Sequence, residues 1–381
     1  MVTPLVPAYG TGALADVVPA LLAGLGVPGF VDRLALDPAR QVCLLLVDGL
    51  GWQALHEHSA DAPFLTSLTE NVITAGFPAT TATSVAALGT GLPAGQHGIV
   101  GFSFAISDGM LINALAWSTH RHGEQTDLRD RFVPEHIQPL PTTLERAVAA
   151  GVRVRLAVPH QHQGTGLDRA VLRGADFHGV YALGDLAGTA LTALSGGERA
   201  FCYAYHGDLD LLGHLYGVGS LPWRLQLAHI DRLAATIAEG LPPGGRLVVT
   251  ADHGMVTVPE QGRLDFDTEP ALQAGVRLLG GEPRARYVYT EPGAIDDVLA
   301  AWRELIGDRA WIVTRDEAIE QGWFGPVVED HFRERIGDVI VAARTEIAVV
   351  RSRSGSRLAP LIGHHGSLTA AEQLVPLLVT P

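Results

Sequence analysis

Short apolar runs bounded by turn-forming residues recur along the chain, with amphipathic stretches between them. A run that is apolar at consecutive rather than alternate positions belongs to a strand covered on both faces, and helices between such strands imply parallel pairing through crossovers. The strand candidates are residues 42–47, 152–158, 200–205, 246–251 and 338–343, and the helical candidates are 13–25, 141–150 and 223–241. This alternation predicts an α/β fold whose mainly parallel sheet is flanked by helices. From residue 261 to 335 the rhythm changes, with 286–290 strand-like, 295–306 helical and 311–314 strand-like. That stretch reads as a small α+β cap-like insertion, with residues 1–260 and 336–381 forming the core. There is no internal repeat, and the run 351–357, rich in Arg and Ser, reads as an exposed loop more readily than as a phosphate site.

Composition narrows the function. With 47% hydrophobic and 18% charged residues, the 381-residue chain has the apolar material for a large core. A formal charge of −14 argues against a nucleic-acid groove. The chain contains no lysine, so all 27 basic residues are arginine, which excludes Schiff-base and phosphate-loop lysine chemistry. Cys43 and Cys202 lie in apolar runs and read as buried thiols, with no disulfide framework. The first positive charge is Arg33, and no uncharged apolar stretch approaches the roughly 18 residues of a membrane span. A cytoplasmic protein that does not enter a membrane is the expectation; oligomeric state is not encoded in any pattern.

The chemistry-bearing residues cluster at ends of predicted strands. Asp48 follows an apolar run and precedes Gly49-Leu50-Gly51, and in open α/β sheets the carboxyl edge of the strands is where ligands bind. Asp252-His253-Gly254 follows a second such run. Asp210 and His214, four apart, share one side of a helical turn, and Gly363-His364-His365-Gly366 offers an imidazole in a glycine-flanked turn. Counting one of the adjacent histidines, these are three carboxylates and three imidazoles. They divide into two three-ligand sites, whose mixed nitrogen and oxygen donors favour zinc over magnesium or calcium. A pair of metals serves displacement at phosphorus or a related centre and needs a nucleophile. The segment Phe77-Pro78-Ala79-Thr80-Thr81-Ala82-Thr83-Ser84 leads from an extended run into a helix reaching about Leu88. A hydroxyl at that helix start meets free backbone N–H groups and the positive end of the dipole.

Together these residues resemble the alkaline phosphatase superfamily and, within it, the nucleotide pyrophosphatase/phosphodiesterase branch. The matching pieces are Leu46-Val47-Asp48-Gly49, Phe77-Pro78 with Thr81, Thr90-Gly91-Leu92-Pro93, His97-Gly98-Ile99, Asp210 to His214 with Gly217, Asp252-His253-Gly254 and His365-Gly366, in the family's order. The resemblance implies a metal-dependent hydrolase of phosphodiester or pyrophosphate bonds in nucleotide-like substrates. It implies that Thr81 is the nucleophile, bridging two Zn2+ ions (Mn2+ or Fe in their place) and transiently phosphorylated. Asp210, His214 and His365 would hold one ion, and Asp48, Asp252 and His253 the other. Thr81 is chosen over Thr80 by its spacing to Phe77 and Thr90-Gly91, and His365 over His364 because the family's ligand precedes a glycine. The implied partner is a small phosphorylated substrate such as a nucleotide.

One position departs from the pattern. Where many members carry an Asn that donates to a phosphoryl oxygen, this chain has Phe102, and Asn113 is the candidate replacement. The departure keeps alternatives on the same scaffold open: phosphate monoester, phosphonate or sulfate ester hydrolysis, or a non-catalytic binding protein. The pairs His56/His58, His120/His122 and His160/His162 read as surface residues outside the metal site, and Trp117 and Trp223 as packing residues. Tyr205 and His206 could line the pocket, but read better as core residues or as supports for the ligands.

Overall fold

The computed structural model describes residues 3–106, 109–120, 125–353 and 360–381. His122 and most of the 351–357 run lie outside them. The main sheet has seven strands: β1 (Gln41–Val47), β2 (Thr69–Thr74), β3 (Arg153–Pro159), β4 (Asp176–Val180), β5 (Ala200–His206), β6 (Gly245–Thr250) and, from the chain's end, Leu374–Val379. In space the order is β2, Leu374–Val379, β6, β1, β5, β3, β4. Strands β6, β1, β5, β3 and β4 are mutually parallel, whereas Leu374–Val379 runs antiparallel to both of its neighbours, β6 and β2. The sheet is therefore mainly parallel, as the apolar runs required. All seven residues of β1 are buried, because helices cover both faces. Cys43 and Cys202 face each other in register across β1 and β5, both buried and free.

Five helices matter for the site: α1 (Thr81–Thr90), α2 (Gly166–Val171), α3 (Leu183–Leu194), α4 (Asp208–Tyr216) and α5 (Leu221–Gly240). α1 starts where Thr80 is extended and ends where Gly91 takes a left-handed conformation, φ 71°. Its small residues let it pack tightly: a Cβ on Gly89 would lie 2.0 Å from the carbonyl oxygen of Val171.

A second sheet of four antiparallel strands carries its own core around Trp302 and Val288: β7 (Val276–Glu282), β8 (Ala285–Thr290), β9 (Ala310–Thr314) and β10 (Val339–Ala343). This corrects one expectation. The run at 338–343 does not join the main sheet; it pairs with β8 and β9. An apolar run shows that a strand is covered on both faces but not which sheet covers it. The helix at Ile295–Ile306 and the strands flanking it lie as the sequence predicted.

Candidate active site

β1 lies between β5 and β6, with Val47 opposite His206 and Leu46 opposite Thr250, so three neighbouring strands leave the sheet at one edge. Asp48 follows β1, Asp210 sits in the first turn of α4 after β5, and Asp252-His253 follows β6. Glycines permit the approach. Gly49 (φ 76°) donates its N–H to Asp252 Oδ1 at 3.0 Å, and a Cβ there would sit 3.0 Å from the Asp210 backbone.

Thr81, the first residue of α1, projects into this cluster. Its hydroxyl is 3.4 Å from Asp48 Oδ2 and 3.3 Å from His253 Nε2. His253 Nε2 is also 3.4 Å from Asp48 Oδ1 and 3.5 Å from Asp252 Oδ2. On the other side, His214 Nε2 is 3.2 Å from Asp210 Oδ2 and His365 Nε2 is 4.0 Å from Asp210 Oδ1. The rings of His253 and His365 stack with centroids 3.6 Å apart. The seven residues that the sequence offered as nucleophile and metal ligands, Thr81, Asp48, Asp210, His214, Asp252, His253 and His365, thus lie in one constellation. The neighbouring His364 turns away, its Nε2 3.0 Å from the Leu361 carbonyl.

The donor set suits metal ions. Each of the three histidines has Nδ1 engaged by a backbone carbonyl: His214 by Gly363 (2.7 Å), His253 by Gly254 (3.0 Å) and His365 by Ala79 (2.8 Å). That fixes the tautomer and leaves Nε2 as the inward donor, the usual arrangement for metal-ligating imidazoles. Three buried carboxylate oxygens, Asp48 Oδ1, Asp210 Oδ1 and Asp252 Oδ2, have no hydrogen-bond partner. Buried polar atoms are rarely left so, and here three of them belong to the carboxylates of one cluster. Ligand atoms of Asp210, His214 and His365 lie within 4.8 Å of one another, as do those of Asp48, Asp210 and His253, so Asp210 stands between two ligand groups.

The electrostatics report the same shortage of positive charge. Burial, then Asp252 and Asp210, push the Asp48 carboxyl well above the ordinary carboxylate range, although the Tyr205 hydroxyl donates to it. Burial opposes ionisation of Asp210 as well, yet His214, His365 and His253 hold it well below that range. Burial and the stacked His253 depress His365, keeping it a neutral imidazole able to bind a metal.

Beside Thr81 opens a cleft of about 270 Å³ whose floor includes Asp48, Asp210, Tyr203 and Tyr205, and whose far wall comes from α2 and the turn before it. Tyr205 both lines this cleft and donates to Asp48, joining two roles the sequence left open. His162 and Asp168 also line it. His162 reads from sequence as a surface residue, and Asp168 carries only a capping signal, its N–H donating to Thr165 Oγ1 at 3.3 Å. Asn113 is not among the residues lining the cleft. Its Oδ1 accepts from the N–H groups of Leu115 and Ala116, each at 3.0 Å, holding a turn. Phe102 packs edge-on against His120, with centroids 5.4 Å apart. Trp117 and Trp223 are fully buried packing residues.

Residues 42–368 match the family model for type I phosphodiesterase / nucleotide pyrophosphatase. The chain belongs to that family. It is accordingly a hydrolytic enzyme of the alkaline phosphatase superfamily, whose fold in this family is metal-dependent. No curated protein matches the sequence. Among solved structures it is similar to murine ectonucleotide pyrophosphatase / phosphodiesterase 5, with TM-score 0.67, 17% identity, and 89% of this chain and 88% of that one covered. An inactive variant of the murine protein in complex with AMP gives TM-score 0.67 at 16% identity, with 90% and 88% covered. Phosphonoacetate hydrolase from Sinorhizobium meliloti in complex with phosphonoacetate gives 0.65 at 19%, with 90% of each chain covered. At such identities these likenesses speak for the fold alone. Among the described residues no helix is long and apolar enough to cross a membrane.

Proposed function

We propose that this enzyme cleaves phosphodiester or pyrophosphate bonds of small, nucleotide-like substrates through a phosphothreonine at Thr81. The observation that carries the reading is the trio of buried, unpartnered carboxylate oxygens on Asp48, Asp210 and Asp252, in the cluster that the Thr81 hydroxyl enters 3.4 Å from Asp48 Oδ2 and 3.3 Å from His253 Nε2. Asp210, His214 and His365 would hold one zinc ion, and Asp48, Asp252 and His253 a second, with manganese or iron as substitutes. When bound, such ions supply the positive charge that steadies the entering and leaving oxygens of an in-line displacement.

The chain's own groups do the rest. Thr81 Oγ, held at the N-terminus of the ten-residue helix α1, attacks phosphorus and gives up its proton as the P–O bond to the alcohol or nucleoside monophosphate breaks. Helix α1's first-turn N–H groups favour the negative phosphoryl group. Tyr205 fixes the orientation of Asp48 by its hydrogen bond. Water then cleaves the phosphothreonine, releasing phosphate monoester and restoring the hydroxyl. Residues 261–335 belong to this reading as a cap-like insertion against the core.

Phosphonate or monoester cleavage on the same scaffold is the competing reading, favoured by Phe102 standing where the family's Asn is expected. Monoesters carry an extra negative charge, and among the described residues no arginine lines the cleft to meet it. Acid-quenching the zinc-loaded enzyme during turnover should trap phosphate on Thr81, and Thr81→Ala should remove both the label and the activity. Full activity of Thr81→Ala, or faster turnover of p-nitrophenyl phosphate than of a p-nitrophenyl nucleotide diester, would overturn the proposal.

A further inference from the structure

The cleft beside Thr81 is built for an organic group without negative charge. Its walls are apolar on the α1 side, with Val85, Leu115 and Leu172 among them, while His162 and Tyr205 present rings whose centroids lie 5.5 Å apart. Away from the metal ligands the one Asp, Glu or Arg lining it among the described residues is Asp168. Asp168 Oδ2 accepts the Gly164 N–H at 3.0 Å, and among the described residues no arginine forms an ion pair with it. Arg129 reaches the same turn, donating to the Gly164 carbonyl at 3.1 Å, and pairs with Asp127 at 2.6 Å. Arg169, next in sequence to Asp168, pairs with Glu135 at 2.7 Å. Burial raises the Asp168 carboxyl, as expected for a half-buried acid lacking a cation.

Resting on the hydrolase reading above, we propose that Asp168 is a specificity-determining residue. It admits phosphodiesters whose cleft-bound substituent is uncharged or amine-bearing, and rejects those in which that substituent carries a carboxylate or a further phosphate. An anionic substituent there would face an unneutralised carboxylate in a confined, partly apolar space, where like charges are costly. An ammonium group would supply the missing partner beside the His162 and Tyr205 rings.

The test uses three methyl phosphodiesters that share a three-carbon spacer, made from propanol, 3-aminopropanol and 4-hydroxybutyrate, so that only one substituent is large enough to need the cleft. With zinc-loaded enzyme at neutral pH, kcat/KM for the amine ester should exceed that for the carboxylate ester at least about tenfold, the propyl ester falling between. Asp168→Asn keeps the acceptor for the Gly164 N–H and should shrink that ratio at least about fivefold. Equal rates for amine and carboxylate esters, or an unchanged ratio in Asp168→Asn, would overturn the assignment. Dissociation constants of the same three esters for zinc-loaded Thr81→Ala separate this from the hydrolase reading. A preserved binding order without turnover in the wild type supports Asp168 and sinks Thr81 as nucleophile, whereas loss of the order with turnover intact does the reverse.

Discussion

Replacing Gly254 with alanine tests how tightly the metal-site backbone is held. A Cβ on Gly254 would lie 2.0 Å from the carbonyl oxygen of Ala371 and 3.0 Å from Gly51 Cα, whereas real Cβ contacts essentially never fall below 3.0 Å. The two segments must therefore separate by about 1 Å, and both neighbours are backbone, which cannot swing aside as a side chain would. The Gly254 N–H also donates to the Glu372 carbonyl at 2.9 Å, so this hydrogen bond stretches as the segments part. His253 moves with the peptide, because its Nδ1 is 3.0 Å from the Gly254 carbonyl, and its Nε2 stands only 3.3 Å from the Thr81 hydroxyl. Displacements of that order cost about 10²-fold where reacting groups must align. Gly254→Ala should lower kcat/KM of the zinc-loaded enzyme by about 10²-fold and cost about 1–3 kcal/mol of stability in urea denaturation. Gly188→Ala is the control: it lies inside α3 with nothing within 4 Å of the new Cβ, and should leave activity unchanged while gaining about 0.5–1 kcal/mol. A folded Gly254→Ala enzyme retaining activity within about threefold of wild type would refute the reasoning.

Arg284 and Glu372 form a fully buried two-pronged pair at 2.8 Å, and Glu372 also accepts the Ser367 N–H at 2.9 Å, two residues from His365. Arg284→Leu should destabilise the protein by about 3–5 kcal/mol by urea midpoint, and Arg284→Leu with Glu372→Leu by less than the two single changes together; strict additivity would contradict this. Burial raises the Glu282 carboxyl from 4.5 to about 8. Because its folded pKa is the higher one, its stabilising contribution is complete below about pH 4.5 and lost as pH rises through about 8. Wild-type stability should therefore fall relative to Glu282→Gln by a few kcal/mol across that window, at about 1.4 kcal/mol per unit, and parallel stability curves would exclude it. Finally, stripping the enzyme with a chelator should lower its melting temperature, and zinc at a hundredfold excess over Kd should restore about 2.7 kcal/mol. Identical melting of stripped and zinc-loaded protein would show that the orphaned carboxylates do not hold metal.

The sequence by itself determined the central parallel strands, because burial on both faces leaves a continuous apolar run such as Leu44-Leu45-Leu46 that no other element requires. It also marked Asp48 and Asp252-His253, since polar residues that end such runs sit at the sheet edge, and Asp210 with His214 through their four-residue spacing on one side of a helical turn. It could not assign residues 339–343 to a sheet, because the same apolar run suits any strand covered on both faces. The strand Leu374–Val379, between β2 and β6, was similarly hidden, its antiparallel direction being set by partners far away in sequence. His162 and Asp168 were legible only as surface and capping residues, and what places them across from Thr81 is the packing of α2 against α1. A pattern records how each residue meets water or core; which distant residues share a cavity depends on how whole elements pack, and that is written only in the assembled chain.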